Sequence, residues 1–144
     1  MILVAEDNEH DIFILKRAWT RANLRARIQV VADGEEALAY LKGAGRYSDR
    51  ARFIFPRLVL LDVKMPRKNG FEVLKEVRGD ARLKRLPVVM FTNSEEPRDI
   101  NQAFDLHANS YLVKPADTHL LEQMLQSLEE YWLTFNKHPS LTRS

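Results

Sequence analysis

Residues 58–77 read LVLLDVKMPRKNGFEVLKEV and contain one complete strand-to-helix unit. The first four form a short, continuous apolar run, which is typical of a parallel strand covered on both faces. Asp62 follows this run directly. After a loop, Phe71, Leu74 and Val77 recur at the spacing of one helix face. The stretch therefore predicts a buried strand, an acidic residue at its carboxyl end, and an amphipathic helix.

The same unit recurs along the whole chain. Other short apolar runs occupy residues 2–5, 27–31, 87–91 and 110–113, and an amphipathic helical pattern follows each of them. Strands joined by helices form a parallel sheet with right-handed connections. Five such units favour the flavodoxin-like strand order 2-1-3-4-5. We therefore predict a doubly wound α/β fold with helices on both faces of a five-stranded sheet. We expect three aromatic residues in its core, namely Phe71, Phe91 and Phe104.

Composition limits the classes of function that are open to this protein. Its 144 residues suffice for one domain, and 45% apolar with 29% charged residues is the balance of a globular chain. The absence of cysteine excludes disulfides, zinc ribbons, iron–sulfur clusters and thiol catalysis. The net charge of only +2 gives no reason to expect nucleic acid or a membrane as partner. With no signal peptide and no apolar run long enough for a membrane span, we predict a cytoplasmic protein.

The carboxyl-terminal part of the chain sets the predicted domain boundary. We assign residues 1–136 to one domain and residues 137–144, which include Pro139, to a short frayed tail. Trp132 and Phe135 continue the apolar stripe of the last helix and either close the core or remain available for contacts. Tyr131 lies off that stripe, so we expect it to contact a second subunit in a homodimer.

Charged and polar residues stand at the carboxyl ends of four predicted strands. Glu6 and Asp7 follow the first strand, and Asp62 follows the third. Thr92 follows the fourth and Lys114 the fifth. All parallel strands end at the same edge, and the first and third are neighbours in the predicted order. The three carboxylates should therefore converge at one point.

Such an arrangement calls for a cation. Two carboxylates about 4 Å apart repel each other by about 4 kcal/mol at an effective dielectric of about 20. Mg²⁺, which binds one or two carboxylates, keeps several waters and commonly meets a phosphoryl oxygen, would relieve this repulsion. With Lys114 and the hydroxyl of Thr92 nearby, the site suits a phosphoryl group carried on Asp62.

Each of these residues also has an ordinary structural interpretation. Asp7 or Asn8 would serve as the amino-terminal cap of the first helix, Lys114 as a solvated surface lysine and Thr92 as a turn residue. The joint arrangement is what favours a site. The histidines have no metal-ligand spacing, so we expect surface or helix-face positions and no transition metal for His10, His107, His119 and His138.

Four segments taken together resemble the receiver domain of two-component response regulators. They are ILVAEDN at residues 2–8, LLDVKMPRKNG at 60–70, PVVMFT at 87–92 and YLVKP at 111–115, within a match from about residue 2 to 135. The resemblance implies that Asp62 accepts a phosphoryl group from a phosphohistidine of a sensor kinase. It also implies that Asp7, Asp62 and the backbone carbonyl of Lys64 ligate Mg²⁺, with Glu6 acting through water.

The same resemblance assigns roles to residues on the later strands. Thr92 and Lys114 would bind the phosphoryl oxygens, and Tyr111 would turn inward when Thr92 moves. The bond between Lys114 and Pro115 is expected to be cis, which X–Pro bonds tolerate. The protein is then no enzyme with turnover but a stoichiometric phosphoacceptor, whose output is a protein contact or a phosphoryl relay.

Smaller features refine this interpretation. Three segments are similar to those of stand-alone regulators that partner phytochrome-type histidine kinases, namely the long loop before Pro56, Asn109-Ser110-Tyr111 and Tyr131-Trp132-Leu133. Two positions depart from the usual pattern, since Lys64 and Asn93 replace smaller residues. The side chains of Lys64 and Ser94 should border the path of water to the phosphoryl group, and we expect Lys64 to lengthen the phosphoryl lifetime.

Two other functions are compatible with the predicted fold. A phosphohydrolase of the haloacid dehalogenase type also places an Asp nucleophile after a strand, but it needs a second Asp where this chain has Lys64. A flavin-binding electron carrier needs a phosphate-binding loop after the first strand. Glu6 and Asp7 would repel that phosphate.

Overall fold

The computed structural model describes residues 1–141 and contains five strands and five α-helices. The strands are β1 (Ile2–Ala5), β2 (Ile28–Val31), β3 (Leu58–Leu61), β4 (Val88–Thr92) and β5 (Ser110–Val113). The helices are α1 (Glu9–Arg21), α2 (Gly34–Lys42), α3 (Gly70–Gly79), α4 (Pro97–Asp105) and α5 (Thr118–Glu129). A 3₁₀ turn at Gly45–Tyr47 and a π-helical segment at Glu130–Phe135 complete the described elements.

The strands form one parallel sheet in the order β2-β1-β3-β4-β5. β1 pairs with β2 on one side and with β3 on the other, so that Ala5 lies beside Leu61. The predicted fold class and strand order are therefore confirmed. Three strands have the predicted bounds, whereas β2 begins one residue later and β4 lies one residue further along the chain.

Apolar side chains cover both faces of the sheet. Leu3, Leu61 and Met90 face a core that includes α2 and α3, whereas Val4 and Leu60 face a core that includes α1 and α5. Alternate residues of each strand thus enter opposite layers, which explains why the strands are apolar throughout. The layers hold the sheet rigid beneath the edge where the polar residues emerge.

Side-chain caps fix the start of the helices that follow this edge. Asn8 rather than Asp7 caps α1, because its Oδ1 accepts from the N–H of Asp11 at 2.9 Å. Asn69 begins α3 in a reciprocal capping box with Glu72. The cap of α1 ends a loop of three residues after β1, whereas the cap of α3 ends a loop of eight residues after β3.

One of the three aromatic residues that we expected in the core lies elsewhere. Phe91 is buried and Phe71 is half-buried against the core, but Phe104 is 49% exposed. α4 buries only Ala103, so its contact with the sheet is too narrow to cover Phe104. The prediction that Phe104 belongs to the core is wrong.

The apolar stripe of the last helix stops at Trp132. Up to Leu128 the stripe is buried, and Trp132 packs partly against the same core, but Phe135 is 66% exposed. From Glu130 the helix has π geometry, in which the N–H of Asn136 donates to the carbonyl of Tyr131 at 2.7 Å. The wider turn breaks the 3.6-residue period and directs Phe135 away from the core.

The tail is not frayed along the part that the structure describes. Leu141 is half-buried and packs against the core on the α2–α3 side, in a groove lined by Leu41, Ile54, Phe55 and Leu83. Burial of this apolar side chain offsets the entropy lost when the tail is ordered. The last predicted tail residues, Thr142, Arg143 and Ser144, lie outside the described residues. No helix within residues 1–141 is long and apolar enough to cross a membrane.

Candidate functional site

Three carboxylates meet where β1 and β3 end. One oxygen each of Glu6, Asp7 and Asp62 lies within 4.8 Å of the others. Glu6 and Asp62 are buried, with 3% and 7% exposure, whereas Asp7 is open to solvent. Adjacent strands β1 and β3 in register bring these positions together, as the sequence predicted. Two buried carboxylates beside a solvent-exposed one form a set of oxygen donors that suits a hard cation such as Mg²⁺.

Lys114, at the end of β5, supplies the positive charge of the site. Its Nζ donates to Glu6, to Asp62 at 3.2 Å and to Asp11 at 3.1 Å. The side chain is only 11% exposed, so these are half-buried ion pairs rather than surface ones. The sequence did not single out Asp11, although its position on the first turn of α1, four residues after Asp7, places it near the site.

Burial and charge shift the pKa of two of these groups. Burial raises the pKa of Glu6 to about 7, and repulsion from Asp62 acts in the same direction against hydrogen bonds from Lys114 and Asn8. Burial disfavours the charged form of Lys114, but its hydrogen bond to Glu6 and the charge of Asp62 prevail and raise its pKa. The Lys114 ammonium therefore stays charged beside the Glu6 carboxyl, whose charged form burial disfavours.

Thr92 and Tyr111 are linked through the loop that follows β4. Thr92 is 2% exposed and lines the same cavity as Asp62. Tyr111 on β5 is half-buried, and its hydroxyl donates to the carbonyl of Ser94 at 2.9 Å. The N–H of Ser94 points to the hydroxyl of Thr92 at 3.4 Å. A short chain of contacts thus joins Thr92 to Tyr111.

Lys64 and Ser94 border an open cavity of about 490 Å³ above Asp62. Lys64 is exposed and forms no ion pair within residues 1–141, so its ammonium is free to reach over the cavity. The hydroxyl of Ser94 donates to Asp99 at 2.6 Å. The Ser94 hydroxyl is therefore held by a hydrogen bond, whereas the Lys64 side chain can change its conformation over the cavity.

The loop between β3 and α3 approaches the neighbouring backbone closely. A Cβ on Gly70 would lie 2.1 Å from the carbonyl oxygen of Asp62, so only glycine fits there. The N–H of Gly70 donates to the carbonyl of Val63 at 2.8 Å and closes the loop. Within it, Arg67 has a φ of 65°, which is uncommon for a residue other than glycine.

A buried aspartate on the β2–α2 turn holds this loop. Asp33 is 4% exposed, and its Oδ2 accepts from Nε and NH2 of Arg67, both at 2.8 Å. Its Oδ1 accepts from the N–H of Glu36 at 2.8 Å and caps α2. Burial opposes the ionisation of Asp33, but these hydrogen bonds outweigh it and lower its pKa. Nothing in the sequence indicated this contact, which spans 34 residues.

The bond between Lys114 and Pro115 is trans, so the expectation of a cis bond is wrong. Trans is the favoured form of an X–Pro bond by about 0.5–1 kcal/mol, and Lys114 reaches its three carboxylate partners from this conformation.

The histidines are distributed as expected, with one exception. His10, His107 and His119 are exposed, and none of the four belongs to the acidic cluster. His138 is half-buried, and neither ring nitrogen has a hydrogen-bond partner among the described residues. Its position follows from the ordered tail, which carries it against the protein.

Comparison with known proteins shows the family of this chain. The profile of the response regulator receiver domain matches residues 2–126. The chain is 37% identical over 142 residues to the probable methanogenesis regulatory protein FilR2 of Methanothrix harundinacea, covering 96% of this chain and 87% of that protein. It is 35% identical over 133 residues to the response regulator Rcp1 of Synechocystis, covering 92% and 88%.

Solved structures show the same similarity. The phosphorylated cyanobacterial phytochrome response regulator RcpA superimposes with a TM-score of 0.86 at 39% identity, covering 96% of this chain and 97% of that one. The Mn²⁺-bound form of Rcp1 gives a TM-score of 0.83 at 33% identity, covering 96% and 98%. With a matching fold, an acidic cluster and a profile that spans most of its length, this chain belongs to the response regulator receiver domain family.

Proposed function

We propose that this protein is a phosphoacceptor that takes one phosphoryl group on Asp62 from a sensor histidine kinase and thereby changes a protein-interaction face. The convergence of Glu6, Asp7 and Asp62 within 4.8 Å, with the ammonium of Lys114 at 3.2 Å from Asp62, carries this proposal. In the transfer, an oxygen of Asp62 attacks phosphorus, the bond to the kinase imidazole breaks, and the imidazole keeps the bonding electron pair.

The surrounding residues have separate parts in this proposal. Glu6, Asp7, Asp62 and the backbone carbonyl of Lys64 would hold Mg²⁺, Glu6 through a water. The cation would neutralise charge on the phosphoryl oxygens. Lys114 and the hydroxyl of Thr92 would bind those oxygens and stabilise the charge that moves onto them during transfer.

The partners follow from the chemistry and from the relatives. A phosphohistidine donor implies a sensor histidine kinase, and similarity to the phytochrome response regulator RcpA supports a phytochrome-type one. We place the protein in the cytoplasm, where it would pass its signal to another protein rather than to nucleic acid or a membrane.

Phosphorylation by acetyl phosphate tests the proposed function directly. Wild-type protein should gain the mass of one phosphoryl group when Mg²⁺ is present and none when a chelator is added, as measured by intact-protein mass spectrometry. The alternative of a phosphohydrolase predicts sustained release of phosphate from small phosphate esters. Turnover far beyond one equivalent would exclude a stoichiometric acceptor.

Thr92→Ala should separate phosphorylation from switching. We propose that the phosphoryl group draws Thr92 toward it and that Tyr111 then moves further inward, because the Ser94 loop joins the two residues. The alanine variant should still be phosphorylated, at most about a hundredfold more slowly, since one hydrogen bond to a charged oxygen contributes about 1.5–3 kcal/mol. NMR signals of the Tyr111 ring should respond to phosphorylation in wild type only. An equal response in Thr92→Ala would exclude this coupling.

Lys64→Asn should shorten the lifetime of the phosphoryl group severalfold, about 1 kcal/mol in barrier height. The exposed lysine can lie across the phosphoryl group, pair with an oxygen and exclude water from the cavity. Affinity for Mg²⁺ should hardly change, because the proposed ligand at this position is the backbone carbonyl. The decay of phosphorylated protein, followed by mass, measures the effect. Slower decay in the variant would instead favour catalysis of hydrolysis by the ammonium.

We propose a homodimer through the face formed by α4 and α5, at least after phosphorylation. Large apolar side chains are exposed on and next to this face, namely Phe104, Leu120, Tyr131 and Phe135. Tyr131→Ala should weaken the dimer at least threefold in sedimentation experiments on the order of 50 µM protein. Phe13→Ala is the matched control, because Phe13 is equally exposed but lies on α1. A monomer in both phosphorylation states would contradict the proposal.

A further inference from the structure

The loop between β3 and α3 carries both the proposed acceptor and the carbonyl of Lys64, so its shape decides whether that carbonyl faces the acidic cluster. The carboxylates are fixed by the ends of two core strands. The carbonyl lies instead on the loop of eight residues between Leu61 and Gly70. Near it, the N–H of Lys64 points to Oδ1 of Asp62 at 3.4 Å and the N–H of Gly70 donates to the carbonyl of Val63 at 2.8 Å, so the far side of the loop needs a support of its own. A metal ligand on a loop depends on whatever holds the loop.

Two contacts with the β2–α2 turn hold it. Arg67 donates twice to the buried Oδ2 of Asp33, at 2.8 Å each. Beside this pair, the backbone of Lys68 lies so close to Gly34 that a Cβ there would come within 2.1 Å of the carbonyl oxygen of Lys68. The loop can therefore pack this closely only because position 34 is a glycine.

The backbone of the loop needs this support. Arg67 has a φ of 65°, and the N–H of Lys68 donates to the carbonyl of Pro66 at 2.7 Å across it. This conformation is uncommon for a residue with a Cβ, and within residues 1–141 Asn23 and His107 are the other non-glycine residues that adopt it. The side chain of Arg67 is 62% exposed, and Asp33 is the acid that it contacts in the described structure. The pair is thus well placed to impose the turn.

We propose that Asp33, acting through Arg67, is a positioning residue that sets the loop so that the Lys64 carbonyl faces the cation site. This inference rests on the proposed function, because it concerns the affinity of that site for Mg²⁺. Asp33 reaches neither the acceptor nor the metal ligands, and it acts only through the shape of the loop.

Two substitutions separate the ion pair from the backbone conformation. Asp33→Asn keeps an oxygen to cap α2 but removes the charge that holds Arg67. Arg67→Gly removes the ion pair while glycine adopts a positive φ without strain. Glu76→Gln is the control, because Glu76 on α3 pairs with Lys68 of the same loop at 2.9 Å and with Lys42 of α2 at 3.0 Å, and the substitution removes both pairs without touching Asp33 or Arg67.

Calorimetric titration with Mg²⁺, and with Mn²⁺ followed by electron paramagnetic resonance, measures the outcome without reference to activity. Asp33→Asn and Arg67→Gly should each bind about tenfold more weakly than wild type, as is typical when an outer-shell partner of a metal site is lost. Glu76→Gln should bind like wild type. Phosphorylation by acetyl phosphate should recover its wild-type maximum rate in both variants at high Mg²⁺, which a general loss of folding would not permit.

The results that overturn the inference are distinct from those that overturn the proposed function. Wild-type affinity in Asp33→Asn and Arg67→Gly, or equal weakening in Glu76→Gln, overturns the positioning role alone. Wild-type affinity in Arg67→Gly with weakening only in Asp33→Asn does the same, because the loop would then keep its shape without the ion pair. A wild-type protein that binds no Mg²⁺ overturns the proposed function and the inference together.

Discussion

Asp62→Asn should abolish uptake of a phosphoryl group from acetyl phosphate, by more than about a hundredfold, because it removes the nucleophile itself. An amide has nearly the shape of the carboxylate and can still accept a hydrogen bond from Lys114, so the fold should persist. Intact-protein mass spectrometry measures uptake, and circular dichroism measures folding. Loss of uptake with an unchanged circular dichroism spectrum would therefore be due to the missing nucleophile and not to a change in folding.

Asp11→Asn provides the matched control for this experiment. Asp11 is also a carboxylate within hydrogen-bond distance of Lys114, at 3.1 Å, but it is not part of the three-carboxylate cluster. Its variant should still take up one phosphoryl group in the presence of Mg²⁺. Phosphoryl uptake that persists in Asp62→Asn would show that Asp62 is not the acceptor. Uptake that is lost equally in Asp11→Asn would show that the loss does not single out Asp62.

Lys114→Met should lower the free energy of unfolding by about 3 kcal/mol in the absence of divalent cations, because loss of one partner leaves buried charges unpaired. Methionine fills much of the volume of the lysine stem but brings no charge to Glu6, Asp11 and Asp62. Urea unfolding, followed by the fluorescence of the two tryptophans, measures this change. Part of the loss should return when Mg²⁺ is added, since binding to the folded state alone stabilises it.

Lys64→Met is the appropriate comparison, because Lys64 is exposed and forms no ion pair within residues 1–141. We expect its unfolding free energy to stay within about 0.5 kcal/mol of wild type. If Lys114→Met is as stable as wild type without divalent cations, then the ion pairs of Lys114 contribute no net stability. If Mg²⁺ does not raise the unfolding free energy of Lys114→Met, the result would argue against a cation site beside that lysine.

The sheet and the convergence at its edge were predictable because both depend on local patterns. The strands are apolar on both faces and short, so their bounds were correct to within a residue or two. Parallel pairing of β1 with β3 then places Glu6 beside Asp62 without any knowledge of side-chain positions. A topology rule therefore turns separate motifs into one site.

The features that the sequence did not indicate depend on contacts between distant segments. The pair of Asp33 with Arg67 joins two loops, and nothing in either loop signals the other. Leu141 looks like part of a polar tail until the groove on the α2–α3 side is known. The π geometry from Glu130 changes the period that placed Phe135 on the buried face. Local periodicity cannot report any of these.

The central place of β1 in the sheet has a consequence for synthesis on the ribosome. β1 is the first strand to be made, yet it lies between β2 and β3, so it stays uncovered on one edge until β3 has emerged. At that stage Glu6, Asp7 and Asp62 can already meet, whereas Lys114 is translated 52 residues after Asp62. In a nascent chain the mutually repelling carboxylates are therefore present before the Lys114 ammonium that pairs with Glu6 and Asp62 has been synthesised. We expect the acidic edge to be the last part of the domain to become ordered, and interrupted translation to yield chains that cannot accept a phosphoryl group.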